Sequence, residues 1–105
     1  MRLRRTAVAV FGALALVMTL PDSAGAAFGT FTYVNVDNEE LSISNPMSGE
    51  CFLLVSGAKH VDNGTSSTAI LYADRGCEEP LSPGLPPRQA RDFTISGAPH
   101  SVKFG

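Results

Sequence analysis

The chain has 105 residues, 44% of them hydrophobic, with eight Lys or Arg against ten Asp or Glu and a net charge of −2. That length accommodates one small domain. Its basic residues beyond the first five positions (Lys59, Arg75, Arg88, Arg91, Lys103) are too scattered to track a phosphate backbone, which argues against nucleic acid as a partner.

The N-terminus carries Arg2, Arg4 and Arg5, then the unbroken apolar and small stretch Ala7 to Leu20, then Pro21 and the small-x-small pattern Ala24-Gly25-Ala26. This is the layout of a secretory signal peptide over residues 1–26, cut after Ala26. The apolar stretch would rise only about 21 Å as a helix, short of a hydrocarbon core near 30 Å, so no membrane attachment is expected after cleavage. The protein is therefore expected to be extracellular. Removing Arg2, Arg4, Arg5 and Asp22 leaves five basic and nine acidic residues, a net charge of −4 over residues 27–105.

So small a core usually needs a covalent staple. Cys51 and Cys77 are the only cysteines, and outside the cell they are expected to pair. Closing about 27 residues stabilises by roughly 3 kcal/mol in the chain-entropy model. With His60 and His100 far apart in the chain, the cysteines lack the paired spacing of a zinc site.

Residues 27–105 read as β throughout. Phe31 to Val36 is rich in aromatic and β-branched residues, Leu41 and Ile43 alternate with serines, and Cys51, Leu53 and Val55 fall on one face. Ala69 to Tyr72 forms a counterpart to the first run, and Phe93 and Ile95 mirror the third. No window carries a helical stripe. Glu78 to Arg91 holds four prolines, which remove four backbone donors and predict a stiff exposed loop, partly polyproline-like, rather than a central strand.

The chain also repeats itself. Ser56-Gly57-Ala58-Lys59-His60 returns forty positions later as Ser96-Gly97-Ala98-Pro99-His100, and residues 38–60 share eight identities with residues 78–100 without a gap. Two units of about forty residues follow, 28–67 and 68–105. Neither can bury its own apolar face, so the expected fold is an all-β sandwich of two sheets.

Two such units, joined at Asp62-Asn63-Gly64-Thr65-Ser66-Ser67 and closing on Ser101-Val102-Lys103-Phe104, resemble the βγ-crystallin domain, which is built from two Greek-key motifs. Asp62 to Ser67 matches the signature of that family's calcium-binding members, so the resemblance implies a weak Ca2+ site there, with no cofactor required. At the family's corner motif Tyr72 is followed by Cys77 and Glu79, where the pattern has an aromatic and a glycine; the disulfide is expected to substitute for that packing. In style the chain is similar to small secreted bacterial proteins of this fold, metalloproteinase inhibitors and killer-toxin-like proteins. The resemblance implies a bacterial, extracellular, non-catalytic protein.

No motif places Ser, His and Asp together as nucleophile, base and orienting group, so an enzyme is not expected. A binding role is expected instead, its partner a secreted proteinase or a cell-surface component. The candidate contact surface is Leu85, Pro86, Pro87, Arg88, Gln89 and Arg91. There proline and the nearby disulfide would supply rigidity, Arg88 or Arg91 would suit an acidic pocket, and Leu85 an apolar one. The alternatives are a calcium-stabilised structural protein and a killer-toxin-like antimicrobial protein.

Overall fold

A computed structural model describes residues 25–105. The signal peptide expected over residues 1–26 lies outside the described residues, apart from Gly25 and Ala26. Eight strands follow in chain order: β1 (Gly29–Asn35), β2 (Glu40–Ser44), β3 (Cys51–Leu53), β4 (Ala58–Thr65), β5 (Ala69–Tyr72), β6 (Pro80–Leu85), β7 (Gln89–Asp92) and β8 (Ser101–Phe104).

They form two four-stranded antiparallel sheets. One runs β2-β1-β4-β7 and the other β3-β8-β5-β6. The third strand, β3, therefore sits among the later strands, and the seventh, β7, among the earlier ones. Period-two alternation decides which face of each strand is inside. Phe31, Tyr33 and Val61 project from the first sheet, and Ala69, Leu71, Val102 and Phe104 from the second; all join one buried cluster with Leu54, Ala58 and Leu85. Phe31 and Phe104 meet edge to face across the gap with ring centroids 5.3 Å apart, a favoured aromatic geometry.

The structure adds two things to the sequence reading, the first of them a direction that the shared face of Cys51, Leu53 and Val55 had left open. The face of Cys51, Leu53 and Val55 points outward: Leu53 is 51% exposed, while Phe52 is half-buried and Leu54 fully buried. Every residue from Cys51 to Val55 is apolar, so periodicity cannot choose between the two faces. A one-residue shift swaps them. The disulfide decides it. Cys51 bonds Cys77, with Cα atoms 6.0 Å apart, and Cys77 lies in the loop between β5 and β6. With Cys51 turned outward to reach that loop, Phe52 turns inward and packs against Phe104 at 6.0 Å. Ile95, the residue matched to Val55 forty positions later, is 71% exposed.

The second is a correction at residues 78–91, which form two strands and a turn instead of one loop. Pro80 and Pro83 are carried in β6, an outer strand of its sheet, with a register shift where it faces Ala69 to Leu71 and a cis Ser82–Pro83 bond. Edge position is how a strand tolerates missing donors.

The loops are held by side chains of chemically similar kind. Asn35 Oδ1 accepts the N–H groups of Asp37 (3.0 Å) and Glu39 (2.9 Å) after β1. After β5, Asp74 Oδ1 accepts from Glu78 (3.0 Å) and Glu79 (2.9 Å), and Oδ2 from Gly76 (3.0 Å). The Glu79 N–H, ahead of an opposing desolvation effect and of the other amides, holds the Asp74 carboxyl below its ordinary value of 3.8. A depressed carboxylate contributes stability above its unfolded value and loses it as pH falls through the folded one, so the contribution of these bonds is expected near neutrality and should be lost in acid. Buried Ser101 completes it, donating to the Asp74 carbonyl (2.6 Å) and accepting from the Cys77 N–H (3.1 Å).

The echoed pentapeptides are not conformational copies. Ser56 and Gly57 take φ of 66° and 86°, and a Cβ on Gly57 would lie 2.9 Å from His100 Nε2. Gly57 is required both for its left-handed backbone and for the ring beside it. Gly97 has neither constraint from positive φ nor a histidine neighbour.

Candidate functional site

The two stretches singled out in the sequence converge at one place. Asp62 to Thr65 belong to β4, so their side chains alternate between faces, and Ser66 and Ser67 begin the connection to β5. Asp62 and Gly64 are exposed, whereas Asn63 and Thr65 are fully buried. The oxygens of the calcium signature are thus divided between the outside and the inside of the sheet. Asn63 Oδ1 is engaged by the Thr65 N–H (3.0 Å) and the Thr65 hydroxyl (2.7 Å). Its Nδ2 donates to the carbonyls of Ser67 (2.8 Å) and Leu85 (2.9 Å). All four side-chain positions for hydrogen bonds are therefore filled by protein.

Leu85 closes β6, and the next anchor point is the N–H of Arg88, which donates to the Asn63 carbonyl (2.6 Å). Asn63 grips the Pro86-Pro87 turn on both sides: its side chain holds the carbonyl before the prolines and its backbone holds the amide after them. A second clamp comes from Arg91 on β7. Its guanidinium donates to the carbonyls of Pro83 (2.7 Å) and Gly84 (3.2 Å) on β6, joining an outer strand of one sheet to an outer strand of the other.

The expected contact residues therefore separate. Leu85 is 1% exposed and belongs to the core, so it offers no apolar side chain to a partner. Arg91 is turned inward onto β6 carbonyls, which a side chain with five donors does well. Pro86 and Pro87 are half-buried, while Arg88, Gln89 and Ala90 are exposed. Arg88 takes φ of 65°, a left-handed conformation that costs a non-glycine residue roughly 1–2 kcal/mol and persists only where its surroundings impose it.

The two histidines have separate partners. His60 Nδ1 lies 2.6 Å from Asp92 Oδ1 across the β4–β7 pair, and His100 Nδ1 lies 3.0 Å from the Ala73 carbonyl. Among the described residues no group of three His, Cys, Asp or Glu side chains is placed to hold a metal ion. Sequence reading missed Asn63 as the link between the two stretches, because its partners at Leu85 and Arg88 lie more than twenty positions away. Comparison with family models, curated proteins and solved structures finds no match to this chain.

Proposed function

We propose that the protein is a secreted, non-catalytic binding module of the βγ-crystallin kind that engages a secreted proteinase through the turn Pro86 to Ala90. At the level of the fold, the strand order supports this reading. Advancing each strand of β2-β1-β4-β7 by four, half of the eight described strands, gives β6-β5-β8-β3, the order of the second sheet read backwards. Two Greek-key motifs that exchange their third strands produce that relation, and the matched loop anchors Asn35 and Asp74 accord with it.

The observation that carries the functional reading is the double grip of Asn63 on the turn. An inhibitory segment must be accepted by an enzyme without being released as products, which favours a backbone already fixed in its bound form. Two prolines, the Asn63 grip and the Arg91 clamp fix this one, and Arg88 stands exposed at its tip. Its guanidinium suits an acidic specificity pocket.

The test is residual activity of secreted metallo- and serine proteinases incubated with micromolar mature protein. Inhibition of one class is expected, reduced at least about tenfold in affinity by Arg88→Ala with the fold unchanged by circular dichroism. Absence of inhibition in both classes, or inhibition indifferent to Arg88, would remove the proposal.

A further inference from the structure

The four sheet edges are treated differently. β3 has three residues and carries the disulfide; β6 is interrupted by Pro80, Pro83 and a register shift; β7 is tied back to β6 by Arg91. Short strands, proline and bulges are the usual protections against edge-to-edge pairing. β2, Glu40-Leu41-Ser42-Ile43-Ser44, has none of them. It is five residues long, contains no proline or lysine, and pairs with β1 in unbroken register from Thr30–Ser44 to Val34–Glu40.

The orientation of its backbone follows from the bonds at its two ends. Asn35 donates to the Glu39 carbonyl and Asn45 to the Gly29 carbonyl, so positions 39 and 45 face β1. By alternation Leu41 and Ile43 also face β1, and the N–H and C=O groups of Glu40, Ser42 and Ser44 face away from it. Among the described residues nothing bonds those groups.

We propose that β2 is a self-association edge, which pairs antiparallel with β2 of a second copy of this chain about a two-fold axis at Ser42. The sequence fits itself in that register. Ser42 opposes Ser42, and Glu40 opposes Ser44, so the carboxylates never face one another. The outward groups of Glu40, Ser42 and Ser44 are the ones that exchange hydrogen bonds. On the inner face, Leu41 opposes Ile43 of the second copy; both are only partly buried against the core and gain an aliphatic neighbour. The acidic turn Asp37 to Glu39 of one chain lies beside the uncharged Asn45 to Gly49 of the other. A continuous eight-stranded sheet results. Because β7 is at the opposite edge from β2, its two Pro86–Ala90 turns stand at the far ends and stay accessible.

Sedimentation velocity of the disulfide-intact mature chain over a concentration series tests this. A monomer–dimer equilibrium is expected, with amide exchange at Glu40, Ser42 and Ser44 slowing as concentration rises. Ser42→Pro removes an outward donor, and Ser42→Lys keeps that donor while setting two ammonium groups at the axis. Ser42 is exposed, so both variants should fold, and each should weaken association at least about tenfold. A monomer throughout the series with these amides unprotected, or a dimer indifferent to both substitutions, overturns the proposal. Protection that arises only on adding an inhibited proteinase also overturns it, and assigns the edge to that enzyme.

Discussion

Replacing Asn63 by alanine should destabilise the protein by about 3–5 kcal/mol, because four hydrogen bonds inside the fold are lost together. The Thr65 N–H becomes unpaired, the Ser67 and Leu85 carbonyls each lose a donor, and the Thr65 hydroxyl keeps only its alternative acceptor at Ser67. A domain of this size has a total stability of only about 5–10 kcal/mol, so the midpoint in urea should fall by about a third or more. Since the bonds are to protein, the loss should be the same in millimolar calcium and in chelator. Asn63→Asp separates shape from donors: it keeps the acceptor but presents a carboxylate to two carbonyl oxygens. Its deficit should be large at neutral pH and shrink in acid, where a protonated carboxyl can donate to one of them. A near-native urea midpoint for Asn63→Ala would show that the turn is held by something else.

Phe31→Ala should cost about as much, roughly 3–5 kcal/mol, by a different route. The Phe31 ring is fully buried, touches Phe104 edge to face and lies 6.3 Å from Tyr33, so it spans the contact between the sheets. Truncation leaves a cavity that two sheets stiffened by their own hydrogen bonds cannot close. Phe31→Leu refills much of it and should recover more than half of the loss. Urea denaturation of the three proteins gives the ordering. Equal stability of Phe31→Ala and the parent would mean that the sheets do not share one core.

What could be read from the residues, and what could not, has a consistent physical basis. Leu41 and Ile43 alternate with serines, so their inward face is determined locally, and the pairing of Cys51 with Cys77 needed only a count and an oxidising compartment. Cys51 to Val55 could not be oriented, since an all-apolar run has no polar side to show. The prolines of residues 80–87 rightly spoke against a central strand, but an edge strand satisfies the same constraint. Asp74 escaped notice because its bonds to three amides are made by geometry, not by any distinctive spacing. The site had the same difficulty: Asp62 to Ser67 and Pro86 to Arg91 were each visible as unusual, yet only the packing of β4 against β7 joins them.

The pairing of β7 with β4 is what brings Asn63 beneath the turn, and nuclear Overhauser contacts across the strands report it directly. Cross-strand contacts of Phe52 with Val102 and of Val61 with Arg91 are predicted, placing β3 on β8 and β7 on β4. Contacts joining β3 to β4, or β7 to β8, as simple hairpins would contradict the architecture and remove the support under the turn.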